Sequence, residues 1–292
     1  MQTLIHNFTS RQYMITPNFE YFHYIDRHIT EIDYHNHDFY EIYFFISGNV
    51  TYMIEGKSYK LRSGDILLIH NNELHKPVVE QGNVYERIVV WVNPEYLKKQ
   101  SFKSSNGTNL SLCFKSHSLE KNNLLRPGPE SLHNLKNIIN NFENACNSIS
   151  YGSDILKDVY LMEFIVYINK YFLESFGDAI QDDIEYDEKV NNIIHYINEN
   201  IYSDLSLDSL AKKFYLSKYH LLREFKKYTG YTIHQYIHQK RLILAKSFLK
   251  DGLSVTEACN KCGFKDYSNF IRAFKKAFGA PPKTYFKEYR NT

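Results

Sequence analysis

The feature that most constrains the fold of this 292-residue chain is an internal repeat in its last third. The segment Arg223-Glu-Phe-Lys-Lys-Tyr-Thr-Gly230 recurs as Arg272-Ala-Phe-Lys-Lys-Ala-Phe-Gly279, at an offset of 49 residues. Each copy ends a predicted helix, and each is preceded by a tight turn and a shorter helix. Two short helices joined by a turn of three or four residues form a helix-turn-helix. The repeat therefore predicts an all-α C-terminal domain that contains two helix-turn-helix units.

The helix-starting residues place these units in the sequence. The first unit is predicted over Leu207–Phe214 and Lys218–Tyr228, and the second over Val255–Cys262 and Tyr267–Phe278. The helix between them, Ile233–Leu249, has 17 residues and a length of roughly 26 Å. Such a helix can hold two reading helices about one DNA turn, or ~34 Å, apart. Residues that can cap a first helical turn precede four of the helices, and these are Ser206, Ser217, Thr232 and Asp266.

The same region carries a longer pattern of residues at fixed spacing. The pattern consists of Leu205-Ser-Leu-Asp-Ser-Leu-Ala211, Ser217-Lys-Tyr-His-Leu-Leu-Arg-Glu-Phe225, Gly230, Arg241, Ala245, Glu257-Ala258, Gly263-Phe264, Ser268, Phe270, Arg272, Phe274-Lys275, Gly279 and Pro282. On these residues the C-terminal part resembles the AraC/XylS family of bacterial transcription regulators. The resemblance implies a DNA-binding domain of seven helices with two reading helices in successive major grooves of double-stranded DNA.

The second helix of each unit offers the side chains that would read the DNA. Its inward stripe is apolar, so the residues on the opposite side at helical spacing remain for the major groove. Arg223 and Arg272 can each make a bidentate pair with guanine, and Asn269 can do so with adenine. A phosphate clamp or an intradomain salt bridge is the alternative for either arginine. The predicted DNA-binding residues are Lys218, Tyr219, Leu222, Arg223, Lys226, Tyr267, Ser268, Asn269, Arg272 and Lys276.

Charge and composition agree with a nucleic-acid partner and exclude several other classes. Residues 1–185 carry a net charge of −7, whereas residues 186–292 carry +9. A hydrophobic content of 43% excludes a largely disordered chain. The most apolar run, Val159–Phe176, contains charged residues and predicts a buried helix instead of a membrane span. Four cysteines without framework spacing and the lack of a secretory signal predict a cytoplasmic protein.

The N-terminal part has a different periodicity. Short β-rich runs separated by turn signals predict a sandwich or barrel, and these runs are Glu41–Ile46, Val50–Ile54, Ser58–Leu61, Asp65–Ile69 and Glu86–Val92. From about residue 130 the pattern becomes helical, and a helix over residues 153–176 is apolar on more than one side, which favours a partner subunit. The predicted fold is therefore α+β with two domains. Its parts are a cupin-like ligand-sensing barrel (1–129), a helical dimerisation segment (130–176), a linker (177–187) and the DNA-binding domain (188–292).

One motif in the predicted barrel carries chemistry. The stretch His35-Asn-His37-Asp-Phe-Tyr-Glu41, followed by Gly48, matches the spacing of the first cupin motif. The second cupin motif is partial, because Gly64 and His75 fit while His70, Asn72 and Val79 depart from it. In metal-binding cupins the corresponding side chains converge on Fe, Mn, Ni or Zn. The metal-ligand candidates would be His35, His37, Glu41 and His75.

The eroded second motif favours a small-molecule pocket over a metal or catalytic centre. No catalytic residue and no cofactor are predicted. By resemblance to the family the ligand is expected to be a sugar, on whose C–H faces aromatic rings could stack. The predicted ligand-binding residues are His35, His37, Glu41, His75, Tyr40 and Trp91.

These observations predict a sequence-specific transcription regulator that is not an enzyme. It is expected to be an activator that responds to a sugar, to act as a homodimer in the cytoplasm away from membranes, and to contact RNA polymerase. Two alternatives remain. One is a metal-binding cupin sensor or enzyme fused to a DNA-binding domain, and the other is a DNA-binding protein without an effector.

Overall fold

A computed structural model describes residues 5, 6, 8, 11–27, 32–114, 122–174 and 183–289. The chain divides into two compact units, Met1–Glu185 and Tyr186–Thr292, and each is described by itself. The first unit contains two β-sheets and two long helices, and the described elements of the second are all helices. The predicted two-domain α+β fold is therefore confirmed.

The first unit is built from two antiparallel sheets. Its strands are β1 (Phe19–Asp26), β2 (Tyr40–Ser47), β3 (Val50–Ile54), β4 (Lys57–Lys60), β5 (Ile66–Ile69), β6 (His75–Val79), β7 (Tyr85–Val92), β8 (Leu124–Leu125) and β9 (Ile184–Glu185). The five-stranded sheet has the order β1-β7-β2-β5-β8, and the four-stranded sheet has the order β6-β3-β4-β9. The inner faces of both sheets contribute to one aromatic-rich core, which contains Phe39, Tyr59 and Trp91.

The other face of the five-stranded sheet is covered by helices. A short helix, α1 (Pro94–Ser101), follows β7, and the long helices α2 (Pro129–Cys146) and α3 (Ser153–Glu174) complete the layer. Leu135, Phe142 and Phe164 pack there against outward-facing residues of β2. Since β2 is covered on both faces, its first six residues are all buried.

Sequence periodicity located five of the strands but missed others. The strand β1, FEYFHYID, pairs along its whole length with β7, from Phe19 opposite Val92 to Asp26 opposite Tyr85. Its aromatic and isoleucine residues are typical of strands, but they alternate poorly because both faces are partly covered. β6 contains Pro77, which weakened the strand signal.

The last part of the stretch predicted as a linker, 177–187, is attached to the first unit instead of being a free connection. Its described part begins at Asp183, whose carboxylate bonds Arg126 at 2.6 Å and Arg62 at 2.5 Å. The two residues of β9 then pair with β4. Residues 184 and 185 therefore belong to the four-stranded sheet, and the Asp183 carbonyl accepts the Lys60 backbone N–H at 2.9 Å. Residues 177–182 lie outside the described part.

Seven helices make up the described part of the second unit, as the resemblance implies. They are α4 (Glu188–Glu199), α5 (Leu207–Lys213), α6 (Lys218–Thr229), α7 (Ile233–Lys250), α8 (Val255–Lys261), α9 (Tyr267–Phe278) and α10 (Pro282–Tyr289). The predicted caps are confirmed, since Ser206, Ser217, Thr232 and Asp266 each accept a backbone N–H of the first turn.

The two repeat copies end in the same way. Gly230 and Gly279 have φ angles of +73° and +80°, a left-handed conformation that glycine adopts without strain and that ends α6 and α9. Cys259 and Cys262 are buried in the core of the second helix-turn-helix, as small apolar residues would be. Among the described residues, no helix is long and apolar enough to cross a membrane.

Candidate ligand pocket and nucleic-acid interface

A cavity of about 320 Å³ lies between the two sheets of the first unit. This volume is within the range of small-molecule sites. Its wall combines a few charged groups with aromatic rings, and five of the rings are Tyr24, Tyr43, Tyr52, Tyr85 and Trp91.

The alternation of side chains along β2 decides which predicted residues reach this cavity. Glu41 lies opposite Trp91 of β7, and both line the wall. Successive side chains of a strand point to opposite faces. Tyr40 therefore faces the helical layer, where its ring stacks on Phe114 with centroids 4.3 Å apart. The prediction of Tyr40 as a ligand-binding residue is wrong for this reason.

One buried charge in the wall belongs to Arg87 of β7, whose side chain is 2% exposed. Its guanidinium forms an ion pair with Asp26. It also lies over the rings of Tyr85 and Tyr24, at 4.1 and 4.7 Å from their centroids. Cation–π contacts of this kind are strengthened by burial. The protein thus keeps a buried cation fixed at one side of the cavity.

Tyrosine hydroxyls provide most of the neutral polar groups of the wall. The hydroxyls of Tyr43 and Tyr85 bond each other, and that of Tyr52 donates to Oε1 of Glu41 at 3.4 Å. The Tyr24 hydroxyl is buried and has no hydrogen-bond partner in the described part of the chain. Burial raises the pKa of Tyr85 to about 12, so its hydroxyl stays protonated at neutral pH. These groups can both donate and accept hydrogen bonds toward a ligand.

The N-terminal segment contributes a further part of the wall. Phe8 and Arg11 both line the cavity. The guanidinium of Arg11 lies 5.1 Å from the ring centroid of Trp91 and forms an ion pair with Glu20. The ring of Phe8 meets Tyr24 edge-on at 5.7 Å. Residues before β1 therefore cover the cavity on one side.

Three predicted residues, His37, Glu41 and His75, form a buried cluster beside the cavity. Their side-chain ligand atoms lie within 4.8 Å of one another, a grouping that could hold a metal ion. Nδ1 of His37 donates to the carbonyl of Phe39 at 2.8 Å, and Nδ1 of His75 donates to that of Glu73 at 2.9 Å. Burial lowers the pKa of His75 well below 6.5, so this ring is neutral at pH 7.

Glu41 is fixed from its own sheet and from the sheet opposite. Its Oε2 accepts the indole N–H of Trp91 at 3.0 Å and lies 3.3 Å from Nε2 of His37. Burial raises the pKa of Glu41, but the neighbouring His37 and the Trp91 hydrogen bond outweigh this effect and lower it overall. The side chain is therefore a carboxylate at neutral pH.

His35 holds a different place from the other two histidines. Its backbone exchanges two hydrogen bonds with that of His75, each 3.0 Å long, in an isolated antiparallel bridge. This bridge ties the loop before β2 to β6 and brings the cluster together. The His35 side chain lines the cavity, whereas its ligand atoms are not part of the three-residue group within the described chain.

Sequence reasoning missed several groups of the cavity wall. Arg87, Tyr85 and Tyr43 were not singled out, although they alternate with outward-facing residues on β7 and β2. Arg87 and Tyr85 lie an even number of residues from Trp91 on β7, and Tyr43 lies two residues from Glu41 on β2. This spacing places them on the cavity face of their strands and could have identified them. Arg11 gave no such signal, because it precedes the first strand and reaches the cavity through tertiary contacts alone.

The ten predicted DNA-binding residues share one surface property. All of them are exposed, whereas Leu221, Phe225, Phe270 and Phe274 on the opposite sides of α6 and α9 are buried. Leu222 of α6 and Asn269 and Arg272 of α9 also open onto one groove of about 670 Å³. The N-terminal half of α7 forms another wall of this groove. Side chains from both reading helices thus lie along one continuous surface.

The two arginines of this surface have different partners. The guanidinium of Arg223 bonds the carboxylate of Glu224 at 2.7 and 2.9 Å. The guanidinium of Arg272 bonds the side-chain oxygen of Asn269 at 2.5 Å. An intradomain salt bridge was one alternative to base contact for either arginine, and Arg223 forms one with Glu224. Sequence reasoning did not single out Glu224.

Comparison with known protein families now bears on both units. A model of the AraC-like ligand binding domain matches residues 20–165, which is half of the chain, and a model of a helix-turn-helix domain matches residues 210–288. The chain belongs to the AraC family of transcription regulators. The resemblance inferred from the repeat is therefore confirmed, and extends to the N-terminal unit.

Several proteins are similar to this chain over most of its length. The chain is 23% identical over 252 residues to the HTH-type transcriptional activator RhaS of Citrobacter koseri, covering 85% of each chain. It is 24% identical over 258 residues to RhaS of Escherichia fergusonii, again covering 85% of each. A crystal structure of ToxT from Vibrio cholerae with a bound unsaturated fatty acid is 15% identical, covers 92% of this chain and 95% of that one, and gives a TM-score of 0.40.

Membership in the AraC family gives each site its general role. The helical unit binds DNA, and the sheet-rich unit is a small-molecule-binding domain, so the protein is a DNA-binding regulator that responds to a small molecule. The individual residues predicted for ligand and DNA contact remain predictions, with Tyr40 removed.

Proposed function

We propose that this AraC-family regulator is a transcription activator whose effector is a sugar bound in the cavity between the two sheets. The observation that carries the proposal is the composition of the cavity wall. Tyrosine hydroxyls, the carboxylate of Glu41 and the guanidinium of Arg87 offer hydrogen bonds, while the rings of Tyr52 and Trp91 offer flat apolar faces. A polyhydroxylated ring needs both kinds of contact at once.

Activation is proposed because the similar proteins named RhaS are transcriptional activators. An activator acts through RNA polymerase. The proposed location is therefore the cytoplasm, where RNA polymerase and bacterial DNA are present. The regulator itself is proposed to carry out no catalysis. A sugar can shift it toward a DNA-binding-competent state only by binding that state more tightly.

The effector proposal is tested by thermal unfolding of the full-length protein with a panel of monosaccharides, disaccharides and uronic acids. A sugar at 100 times its Kd should stabilise the native state by about 2.7 kcal/mol. Tyr43→Phe should weaken this response by removing a cavity hydroxyl, while Tyr40→Phe on the opposite face of the same strand should leave it intact. A silent panel, or equal effects of both variants, would contradict the sugar pocket.

We also propose that the protein is a homodimer through α3. One side of this helix leaves Ile155, Val159, Val166 and Leu173 between 45% and 65% exposed. Their spacing of four, seven and seven residues, with the half-buried Met162 between, follows the seven-residue repeat of a helix–helix seam. A second copy of the same helix supplies a matching stripe, as a two-fold interface requires.

Sedimentation velocity tests the dimer. The double variant Val159→Glu with Val166→Glu should sediment as a monomer, because two carboxylates would be buried in the seam. Lys136→Glu, which changes an exposed residue of α2, is the matched control and should remain dimeric. A wild-type protein that is monomeric at micromolar concentration would refute the proposal.

A further inference from the structure

The cluster of His37, Glu41 and His75 has an unusual arrangement of polar atoms. The two imidazoles are 3% and 0% exposed, and Glu41 is 5% exposed. Nε2 of His37 and Nε2 of His75 are both buried without a hydrogen-bond partner in the described chain. Buried polar atoms are nearly always satisfied, so two unsatisfied nitrogens in one place call for an explanation.

The hydrogen bonds of the other ring nitrogens decide the state of these atoms. A carbonyl oxygen only accepts, so Nδ1 of His37 and Nδ1 of His75 must each carry the proton in their bonds to Phe39 and Glu73. This leaves Nε2 of the neutral His75 ring with a lone pair, while Nε2 of His37, 3.3 Å from Oε2 of Glu41, can share a proton with that carboxylate or give its lone pair to a metal ion. Metal-bound histidines typically have their second nitrogen fixed in this way, by donation to a carbonyl or carboxylate.

The carboxylate is oriented in a comparable way. The indole N–H of Trp91 and the hydroxyl of Tyr52 hold the two oxygens of Glu41 from different strands. Two imidazole Nε2 atoms and one carboxylate therefore converge with little freedom to turn away. A proton shared between His37 and Glu41 would satisfy one imidazole only and would leave His75 unpartnered.

We propose that His37, Glu41 and His75 together bind one divalent transition-metal ion. Two imidazole nitrogens and one carboxylate oxygen suit Zn²⁺, Fe²⁺, Ni²⁺ or Mn²⁺. Metal–ligand bonds of about 2.1 Å allow ligand atoms on one ion to be at most about 4.2 Å apart. The present limit of 4.8 Å means that the widest pair must close by roughly half an ångström.

The proposal differs from the four-ligand set suggested by the cupin spacing. His35 is excluded, because its contribution to the cluster is the backbone bridge to His75 and its ligand atoms lie outside the group. His37 and Glu41 also line the cavity. The remaining coordination positions of the ion would therefore face the cavity.

The experiment uses untagged full-length protein that has been stripped with a chelator and then titrated with Co²⁺. The single tryptophan of the chain, Trp91, donates a hydrogen bond to a proposed ligand, so a paramagnetic ion at the site should quench its fluorescence. Quenching should saturate at one equivalent, with visible d–d absorption appearing in parallel. One equivalent of Zn²⁺ should then restore the emission by displacing Co²⁺.

Variants assign the ligands. His75→Gln and Glu41→Gln should each weaken Co²⁺ binding at least tenfold, whereas His35→Gln, the matched control, should bind as the wild type does. Far-UV circular dichroism checks that each variant is folded. If a ligand variant does not fold, the wild-type titration still decides: absence of stoichiometric quenching refutes the site. Equal weakening by all three variants, or loss of binding in His35→Gln alone, would also overturn it.

Discussion

The two units of the molecule hold their functional side chains in opposite ways. In the sheet-rich unit, Arg87 is 2% exposed and fixed by an ion pair with Asp26 and by contacts with two tyrosine rings. In the helical unit, Arg272 lies on the surface with one neutral partner, Asn269. A pocket that selects a small molecule needs pre-arranged groups, whereas a surface that meets DNA needs groups that can exchange their own partners for DNA on contact. In the sheet-rich unit, replacing a functional side chain should therefore also destabilise the fold. In the helical unit, such a replacement should change DNA binding without destabilising the fold.

Replacement of the two arginines by the same residue should show the largest difference. Arg87→Met leaves Asp26 without its buried partner and should reduce the free energy of unfolding of the first unit by about 3–5 kcal/mol. Arg272→Met, its surface counterpart, should change stability by less than about 0.5 kcal/mol. Urea unfolding can be followed by the fluorescence of Trp91 for the first unit and by far-UV circular dichroism for the whole chain. Similar losses of unfolding free energy in both variants would show that burial of Arg87 does not make it more important for stability than the exposed Arg272.

For DNA affinity, in contrast to stability, replacement of Arg272 should have a large effect. Arg272→Ala should weaken binding to a duplex selected from a random library by roughly tenfold or more, because a base contact is worth about 1–3 kcal/mol. Lys276→Ala, as a phosphate contact, should instead weaken all sequences alike and lower the salt slope by about one. Titrations at several salt concentrations distinguish the two. Uniform weakening by Arg272→Ala would assign that arginine to phosphate.

How much the sequence could predict follows from the same contrast. Exposed helical residues keep the periodicity of their own helix, so all ten predicted DNA contacts lie on the surface while Phe225 and Phe274 are buried. Cavity residues depend on pairing between strands that are distant in sequence. Tyr40 was misplaced because a one-residue difference on β2 changes the face of the sheet, and β2 is buried on both.

Groups fixed only by tertiary contacts were beyond prediction. His23 illustrates this, since its ring joins three elements, with Nδ1 bonded to Glu143 of α2 at 2.7 Å and Nε2 bonded to Glu86 of β7 at 2.9 Å. Nothing in the local sequence of β1 indicates that a helix 120 residues later supplies a partner. Arg11 reaches the cavity for a similar reason.

The same histidine predicts a pH dependence confined to the first unit. Burial lowers the pKa of His23, but its bonds and charge contacts with Glu143 and Glu86 outweigh burial and raise it overall. A raised pKa means that the stabilisation is fully present below the unfolded-state pKa near 6.5 and is lost as pH rises through the folded-state pKa. His6, whose Nδ1 accepts the His23 backbone N–H, has its pKa lowered mainly by burial and opposes part of this trend.

The His23 contribution to the free energy of unfolding should therefore fall as pH is raised above the unfolded-state pKa near 6.5. Burial lowers the pKa of His35 and His75 in the same unit, and these rings contribute a pH trend of the opposite sign. The test is therefore the difference in free energy of unfolding between the wild type and His23→Gln, followed by urea unfolding with Trp91 fluorescence. The stability advantage of the wild type should shrink as pH rises, and an advantage that grows with pH would contradict the assignment.

The smallest effect concerns a difference inside the DNA-binding surface itself. The two repeat copies place Arg223 and Arg272 at equivalent positions, but the next residue is Glu224 in the first copy and Ala273 in the second. DNA phosphates or bases must displace the Glu224 carboxylate from Arg223, whereas Arg272 has no adjacent acidic side chain at that position. Glu224→Ala should therefore raise DNA affinity by roughly two- to fivefold, within the range of exposed ion pairs.

The reciprocal substitution sharpens this comparison. Ala273→Glu should give Arg272 the same competitor and lower affinity by a similar factor, with both changes fading as salt screens the exposed charges. Removal of an acidic side chain also strengthens binding through net charge alone, so Glu188→Ala, at an exposed first-turn residue of α4 and outside the sequence of both reading helices, serves as the control. If that control raises affinity as much as Glu224→Ala does, the effect belongs to total charge. A larger effect at Glu224 than at the control would show that the first reading helix engages DNA against an internal competitor, and the second does not.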